Sequence, residues 1–471
     1  MLVTLIRFSI RYSGLVLAMA VLLLVYGGYR FMSAGLDIFP EFAPKRVIIQ
    51  TEAPGLAAEQ VEVLVTRPIE TAIRPLIGLE QLRSESIQGL SIVTATFTED
   101  SDIFRNRQMI SERLVGLGQQ LPAGIGIPVA VPLSSSSSTI LTIGLRADSQ
   151  SMMELRNLVD WTLAPRLLAI PGVADVNTFG GDVQQLQVQV KPEALQRFNL
   201  TLEDVVNAAA GASAISGAGF IENANQRFTL QVNGQPGDPA AFTQLVVKRQ
   251  DGATITLGDV AEITYAAEPP ISAAQIMGKP GIVMMIIGQY GANTLSVSRQ
   301  VETVLAGFKP LFEQQGVTFY AHLFRPADYI ETSVHNLAGH LLFGGLFVIL
   351  ILYLFLFNFR SAFIAAMAIP LSLMAAVVVL LEMGVNLNIM VLGGLAIALG
   401  EVVDDAIIDT ENIFRRLREN QAQTLPLPIA KVIEKASLEV RGSVVYASFI
   451  VALVFVPLLT LSGVAGRLFS P

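Results

Sequence analysis

The chain contains 471 residues, of which 52% are hydrophobic and only 15% are charged, and its mean hydropathy is +0.56. This composition is typical of a membrane protein. The formal net charge is −8, and no basic or aromatic-rich segment indicates nucleic-acid binding. The absence of cysteine excludes disulfides and thiolate sites for soft metals.

Five apolar runs are each about twenty residues long, which is enough to cross about 30 Å of hydrocarbon. They cover residues 14–32, 337–357, 362–383, 387 to about 408, and 444 to about 461. The roughly three hundred residues between the first two runs have an ordinary soluble composition. The sequence therefore predicts one span, a large extramembrane domain and then four further spans.

Lysine and arginine residues near the ends of these runs indicate the orientation. Arg7 and Arg11 precede the first run, Arg360 lies between the second and third, and a basic segment joins the fourth to the fifth. That segment contains Arg415, Arg416, Arg418, Lys431, Lys435 and Arg441. By the positive-inside rule these positions are cytoplasmic, which places the large domain and the C-terminus outside. The first run is interpreted as an uncleaved anchor, although residues 33–35 form a weak candidate cleavage site.

The extramembrane domain contains an internal repeat of strand, helix, two strands and helix, the order of a ferredoxin-like split βαβ unit. In the first copy the predicted elements are strand 46–51, helix 57–73, a hairpin of 81–86 and 92–97 around Gly89, and helix 102–117. In the second copy they are strand 139–145, helix 153–170, a hairpin around Gly180 and Gly181 that ends in 186–190, and helix 193–198 or 202–209. Two such units side by side form a groove.

The serine run 134–138 is interpreted as a linker between the two copies, rather than as a site. Residues 208–270 are rich in Gly and Ala and include candidate strands at 228–232, 245–249 and 261–265. They are interpreted as an insertion, because residues 282–289 and 295–308 then supply a further strand and helix that could complete the second unit.

A cluster of acids lies in the fourth apolar run: Glu401, Asp404, Asp405, Asp409 and Glu411. An ionised aspartate near the bilayer centre costs ~3 kcal/mol, so at least one of these acids is neutral, paired or facing water. With Asp404 at 0° on a helical projection, the other acids fall at about −20° (Glu411), +60° (Glu401), +100° (Asp405) and +140° (Asp409). The acids share one side of the helix, and we expect that side to point into protein. Because close, desolvated carboxylates raise each other's pKa, we expect these acids to take up protons near neutral pH, as the acids of a proton relay do. The alternative for Glu401, Asp409 and Glu411 is a position at the helix end or in water.

Several stretches resemble the resistance-nodulation-division (RND) efflux transporters. They are VVDDAIIDTENIFRRL (402–417), MAIPLSL (367–373), FPEFAP (39–44) and VPLLTLSGVAGRLF (456–469), and the FPEFAP and LSGVAGRLF stretches most resemble the heavy-metal (CzcA/CusA-like) subgroup. The resemblance covers nearly the whole chain. It implies that Asp404 and Asp405 match the proton-relay aspartates of the family and that Glu411 matches the glutamate that follows them. Glu401, Asp409 and Glu411, on the same helix, are interpreted as possible relay support.

The resemblance also implies an α+β membrane protein, namely a transmembrane helix bundle with a periplasmic domain of two ferredoxin-like βαβ porter subdomains and a docking insertion. The implied divisions are the N-terminal segment with transmembrane helix 1 (1–32), porter subdomain 1 (33–133), the first part of porter subdomain 2 (134–181), the docking insertion (182–274), the second part of porter subdomain 2 (275–335), and transmembrane helices 2 to 5 (336–471).

Members of the family consist of two similar halves, and this chain resembles the N-terminal half. No Lys or Arg lies deep in the runs between 337 and 461 to pair with the aspartates, and the family supplies such a lysine from its second half. The implied partners are the missing C-terminal half, two further copies in a homotrimer, a periplasmic adaptor protein and an outer-membrane channel. The implied location is the bacterial inner membrane, with the proton-motive force as the energy source and no cofactor.

Two departures leave the substrate open between heavy-metal cations and drugs or other hydrophobic compounds. Metal exporters of this type usually have a further aspartate where this chain has Ala398, although Glu401 could substitute for it, and they often have a single aspartate where this chain has Asp404 and Asp405. The methionine pairs 152–153 and 284–285, and His335 and His340, are interpreted as structural rather than as metal ligands. In the family, the metal-binding methionines lie in the second half.

Two other classes of function remain as alternatives. An intramembrane aspartyl protease needs two aspartates that face each other from different helices, whereas Asp404 and Asp405 are neighbours on one helix. A non-transporting fragment is the other alternative.

Overall fold

In this computed structural model, residues 2–469 are described except for 38, 39, 42, 119, 123, 148, 214–216, 224, 225, 232–237, 251, 271, 357, 358, 424 and 462. Phe39, Phe42, Val232 and Phe357, which belong to predicted motifs or element ends, lie outside the described residues. The fold combines long apolar helices with two four-stranded sheets and several short hairpins.

The chain begins with two helices and a short strand. They are α1 (Leu2–Arg11), α2 (Ser13–Ser33) and β1 (Leu36–Asp37). Gly27 of α2 is buried, and an added Cβ there would lie 2.9 Å from the Cβ of Met374. This close approach requires glycine at that position.

The first four-stranded sheet is formed by residues close together in sequence. Its elements are β2 (Arg46–Glu52), α3 (Ala58–Val61), a π-helical turn (Glu62–Thr66), α4 (Arg67–Ile73), β3 (Leu79–Ile87), β4 (Leu90–Phe97), α5 (Ile103–Leu117) and β5 (Val129–Ala130). The strand order is β3-β4-β2-β5. Strand β4 buries every second residue against the helices, because alternate side chains of a strand point to opposite faces.

The second four-stranded sheet begins with β6 (Ser134–Ala147), α6 (Met152–Leu158), a π-helical turn (Val159–Leu163), α7 (Ala164–Leu168) and β7 (Val173–Phe179). The serine run 134–138 was expected to be a linker, but it forms the beginning of β6, where Ser134 pairs with Gln289. The linker prediction is wrong because the neighbouring strand extends far enough to pair with the serine backbone.

The next segment, up to residue 280, contains short elements outside the two large sheets. They are β8 (Gln184–Val190), α8 (Pro192–Arg197), α9 (Leu202–Ser213), β9 (Gly217–Glu222), β10 (Arg227–Gln231), α10 (Pro239–Thr243), β11 (Val246–Gln250), β12 (Ala253–Thr256), α11 (Leu257–Val260), β13 (Ala261–Ala267), β14 (Gln275–Ile276) and β15 (Lys279–Pro280). The candidate strands in this segment correspond to β10, β11 and β13.

Strand β8 differs from the sequence-based expectation. It was expected to complete a hairpin around Gly180 and Gly181, but it pairs along its whole length with β13 instead. Both glycines have positive φ, +78° and +77°, and they turn the chain out of the sheet. Two hydrogen bonds hold Gly180, one accepted from Arg156 Nη1 at 2.7 Å and one donated to Ser272 Oγ at 3.1 Å.

The second sheet is completed after this segment by β16 (Ile282–Gln289), α12 (Thr294–Gln314) and β17 (Val317–Phe324). Its strand order is β17-β6-β16-β7. If the strands of each sheet are numbered along the chain, both sheets have the order 2-3-1-4 or its reverse. The second sheet thus repeats the first, but with β16 rather than β8 as its third strand.

The remaining elements are mostly long helices. They are α13 (Pro326–Leu356), α14 (Phe359–Glu382), β18 (Leu387–Asn388), α15 (Ile389–Gln421), α16 (Ile429–Leu459) and α17 (Gly463–Phe469). Strand β18 pairs in parallel with β1, which ties the chain after α2 to the start of α15. Helices α15 and α16 extend beyond the predicted spans, so the basic segment between them is largely helical.

Among the described residues, three helices are long and apolar enough to cross a membrane by length and composition alone: α2, α14 and α16. Helix α13 contains a shorter apolar stretch, Leu342–Ile351. Helix α15 lacks such a stretch because its first 18 residues already include Glu401, Asp404 and Asp405. The charges of these three acids, rather than a lack of apolar residues, are therefore the reason that α15 is not counted among these spans.

Candidate proton-relay site on α15

Helix α15 carries all five candidate acids on one continuous helix. Its N-terminus is capped by Asn388, whose side chain accepts a hydrogen bond from the Val391 N–H at 2.9 Å. No helix break separates Glu401 from Glu411, so their directions follow from the 3.6-residue period. The acids divide into two groups, one against α16 and one exposed.

Asp405 and Asp409 form the group against α16. They are one helical turn apart and half-buried. Ser448 Oγ of α16 donates to Asp405 Oδ2 at 3.2 Å, and the same hydroxyl lies 3.0 Å from the Val444 carbonyl oxygen. A hydroxyl has one proton, so Asp405 and the Val444 carbonyl compete for it.

Asp409 forms an ion pair with Arg441 of α16. The side chains are 20% and 31% exposed, respectively, which makes this one of the less solvated ion pairs in the molecule. The pair uses only Asp409 Oδ2, because Oδ1 is buried and has no hydrogen-bond partner among the described residues. A buried carboxylate oxygen without a partner is a place where a proton or an additional donor is favourable.

One and two turns further along, polar side chains fasten α15 to α16. Asn412 is buried and donates from Nδ2 to the Ala436 carbonyl oxygen at 2.8 Å, while Arg415 donates to Asn412 Oδ1 at 2.7 Å. Arg416 forms a two-pronged ion pair with Glu439, with Nε 2.9 Å from Oε2. This charge-assisted network holds the two helices together beside the Asp409–Arg441 pair.

Glu401, Asp404 and Glu411 form the exposed group. They were expected to point into protein, but in the described chain they share an outward stripe with Ile397 and Ile408, which are 65% and 42% exposed. Within the described ranges, no ion pair joins a Lys or Arg to Asp404 or Asp405. An apolar stripe that contains carboxylates is a surface suited to another membrane helix with a cation.

Sequence reasoning identified the acids but missed their partners on α16. Ser448 and Arg441 lie seven residues apart, which is two helical turns, and Asp405 and Asp409 lie one turn apart on α15. Arg441 was interpreted as part of a cytoplasmic connecting segment because the apolar run was taken to begin at 444. The helix begins at Ile429 instead, and this extension brings Arg441 to Asp409.

The residues considered as metal ligands are dispersed. In the part of the chain that the structure describes, no group of three or more His, Cys, Asp or Glu side chains could hold a metal ion. Met284 is fully buried in the core of the second sheet, and Met285 points to its other face. His335 and His340 both lie on α13 and are exposed.

Comparisons with known proteins match the chain over nearly its whole length. The model of the AcrB/AcrD/AcrF family matches residues 5–471. Protein HelA of Legionella pneumophila is 32% identical over 484 residues, which cover 100% of this chain and 45% of that protein. The nickel and cobalt resistance protein CnrA of Cupriavidus metallidurans is 31% identical over 98% of this chain and 46% of that protein. The cation efflux system protein CusA of Escherichia coli K12 is 32% identical over 99% of this chain and 45% of that protein.

The structural comparison gives the same coverage. A crystal structure of a heavy metal efflux pump superimposes with a TM-score of 0.85 and 25% sequence identity, over 100% of this chain and 46% of that one. This chain thus spans about half the length of the curated relatives that it matches.

Proposed function

Because the chain belongs to the AcrB/AcrD/AcrF family, we propose that it forms the N-terminal half of an RND permease that exports heavy-metal cations in exchange for protons. Nickel and cobalt resistance and cation efflux are the activities in the names of its relatives, and a heavy metal efflux pump has the same fold. The family is one of efflux transporters and not of enzymes, and the neighbouring positions of Asp404 and Asp405 on one helix argue against a protease.

The observation that carries the proposal is the contact of two α15 carboxylates with polar groups of α16. A proton on Asp405 removes the charge that the Ser448 hydroxyl stabilises and frees that hydroxyl for the Val444 carbonyl. A proton on Asp409 weakens its ion pair with Arg441. Either event changes the free energy of packing α15 against α16, which is how a proton can be coupled to helix movement.

Asp404 has a different role in this proposal. It faces away from α16 together with Glu401 and Glu411, on the surface where a helix of the missing C-terminal half would supply the lysine that the family resemblance implies. Asp404 and Asp405 then form the relay between the two halves, and Glu401, Asp409 and Glu411 support it. Each returning proton supplies about 2.3 kcal/mol per 100 mV, in addition to its concentration gradient.

The two four-stranded sheets are proposed to be ferredoxin-like porter subdomains, the first within residues 33–133 and the second within 134–181 and 275–335. Their common strand order supports this assignment. Residues 182–274 are the proposed docking insertion, and its pairing of β8 with β13 rather than with the second sheet supports a separate unit. The membrane parts are then 1–32 and 336–471.

The proposed assembly is a homotrimer of complete permeases in a bacterial inner membrane, with the sheets in the periplasm. It includes a periplasmic adaptor and an outer-membrane channel. The proposed energy source is the proton-motive force, and no cofactor is proposed. One alternative is an RND exporter of drugs or other hydrophobic compounds, which the Asp404–Asp405 pair favours because metal exporters often have a single aspartate there. The other alternative is a fragment that does not transport.

Co-expression tests the proposal. The chain is expressed in a metal-sensitive, efflux-deficient host together with the C-terminal half of CusA or CnrA, and tolerance to nickel, cobalt, copper and silver is compared with tolerance to dyes and detergents. We expect restored metal tolerance that the Asp405→Asn variant lacks. Tolerance to drugs alone would favour the first alternative, and no tolerance with a correctly inserted pair of halves would favour the second.

A further inference from the structure

Helix α1 presents an exposed apolar stripe on one side. Leu5, Phe8 and Tyr12 are spaced three and four residues apart and are 59%, 46% and 47% exposed. This spacing places the three side chains within about 60° of one another around the helix. The rings of Phe8 and Tyr12 lie in contact, with centroids 5.0 Å apart.

Both arginines of α1 lie on its other side, together with Val3, which is 41% exposed. Arg7 and Arg11 lie about 120–160° around the helix from Leu5, and α1 contains no acid. Arg7 Nε donates to Glu434 Oε1 of α16 at 2.6 Å, so this side of α1 is directed toward α16. The guanidinium carbon of Arg11 lies 5.7 Å from the ring centroid of Tyr12.

The position of α1 indicates what covers the apolar stripe. The chain breaks its helix only at Tyr12 and then enters α2, which is one of the three helices able to cross a membrane. The end of α1 is therefore at the membrane boundary. A helix with an apolar side, a basic side and such a position is typical of helices that lie in the interface plane.

We propose that α1 is a membrane-surface helix that inserts Leu5, Phe8 and Tyr12 into one leaflet and binds anionic lipid headgroups through Arg11 and Lys431. Lys431 is exposed on α16 and lies one turn before Glu434, the residue that holds Arg7. Exposed basic side chains near a membrane boundary are attracted to a negatively charged leaflet. The ion pair between Arg7 and Glu434 then ties the depth of α1 in the leaflet to the position of α16.

Site-directed spin labelling of the full chain tests the insertion. Because the sequence has no cysteine, Leu5→Cys and Thr4→Cys each create a unique labelling site. In phosphatidylcholine–phosphatidylglycerol vesicles, we expect the label at position 5 to collide more with membrane-soluble oxygen than with a water-soluble nickel chelate. The label at position 4, which lies about 100° from Leu5 and about 20° from Arg11 around the helix, should show the opposite preference. The label at position 5 should lie roughly 5–10 Å below the headgroup level.

Two outcomes would overturn the insertion. Equal access of the nickel chelate to both positions would show that α1 projects into water. Protection of position 5 from both oxygen and nickel would show that protein covers the stripe.

A second comparison tests the preference for anionic lipid. We expect phosphatidylglycerol to increase the oxygen-to-nickel collision ratio at position 5 relative to pure phosphatidylcholine. Arg11→Gln combined with Lys431→Gln should abolish that increase, whereas Arg113→Gln, an exposed arginine on α5, should leave it unchanged. The same ratio in both lipids for the parent chain, or a full increase in the double variant, would refute the headgroup contact.

Discussion

Arg441 of α16 holds one carboxylate oxygen of Asp409, while the other oxygen of the same carboxylate is buried without a partner among the described residues. The two helices that carry these residues are joined by further bonds from Asn412 and Arg416 nearby. Asp409 thus combines a fixed position with an unfilled hydrogen-bonding site.

The ion pair between Asp409 and Arg441 should contribute to the stability of the protein. Arg441→Gln leaves a partly buried carboxylate without its counter-charge, and we expect a loss of about 1–3 kcal/mol, less than for a fully buried pair because both side chains are partly exposed. The exchange Asp409→Arg with Arg441→Asp should recover part of the loss. Thermal unfolding in detergent measures the effect, with Arg74→Gln as an exposed control. If the exchanged variant loses as much stability as Asp409→Arg and Arg441→Asp lose together as single changes, the two residues are not coupled.

The relay proposal predicts a graded loss of transport in a complete permease. Asp404→Asn and Asp405→Asn should abolish metal export driven by an imposed pH gradient in proteoliposomes, because the amide fits the same space but cannot change charge. Ser448→Ala should lower the rate by only about two- to tenfold, as expected for loss of one neutral donor. Glu411→Gln should be milder than either aspartate change. Unchanged export by both asparagine variants would remove these aspartates from the coupling.

Gly180, directly after β7, tests the close approach of the chain to Gly281, directly before β16. Its φ of +78° disfavours any side chain, and an added Cβ would lie 2.6 Å from the Gly281 carbonyl oxygen. Gly252 has a similar φ of +81° but no atom within 4 Å. We therefore expect Gly252→Ala to lower the free energy of unfolding by about 1 kcal/mol. Gly180→Ala should lower it by about 1–3 kcal/mol more, because the added Cβ also meets the Gly281 carbonyl oxygen. Equal unfolding midpoints for the two variants would contradict the close approach.

The junction between α12 and α13 should be sensitive to acid. Arg325 is bonded to Glu302 and to Asp328 and Glu331, and hydrogen bonds from Arg325 and then Arg299 hold the pKa of Glu331 below its ordinary value of 4.5. A lowered folded-state pKa means that this stabilisation is complete above the ordinary pKa and is lost as pH falls through the lowered one.

Thermal unfolding over pH checks that expectation. The decrease in unfolding temperature between about pH 6 and about pH 3 should be smaller for Glu331→Gln than for the parent chain, and the difference should shrink at high salt because Glu331 is partly exposed. Glu313→Gln, an exposed change on α12, serves as the control. A decrease in Glu331→Gln as steep as in the parent chain would show that Glu331 does not titrate with unfolding.

Orientation is tested by labelling with a membrane-impermeant thiol reagent in cells whose outer membrane is permeabilised. Glu112→Cys on α5 should be labelled, and Gln421→Cys at the end of α15 should not be. The reason is the one-sided distribution of Lys and Arg around the spans. The reverse result would invert the topology.

The sequence predicted most single elements because their signals are local. The predicted strand 46–51 corresponds to β2, and the predicted helix 295–308 lies within α12. It did not predict the partner of β8, because strand pairing depends on residues about seventy positions away that no local pattern identifies. The partners that Asp405 and Asp409 have on α16 were missed for a related reason, since an apolar run marks where a helix crosses the membrane but not where the helix begins.

The interrupted order of the second sheet has a consequence for biosynthesis. Strand β16 lies between β6 and β7, but about a hundred residues separate it from β7, so several seconds of synthesis pass before it emerges. During that interval the edges of β6 and β7 that β16 later covers are unpaired, whereas the first sheet is already complete at Ala130. Exposed strand edges are the usual starting point of aggregation. The nascent chain is therefore most in need of a chaperone, or of prompt export, while residues 180–281 are being made.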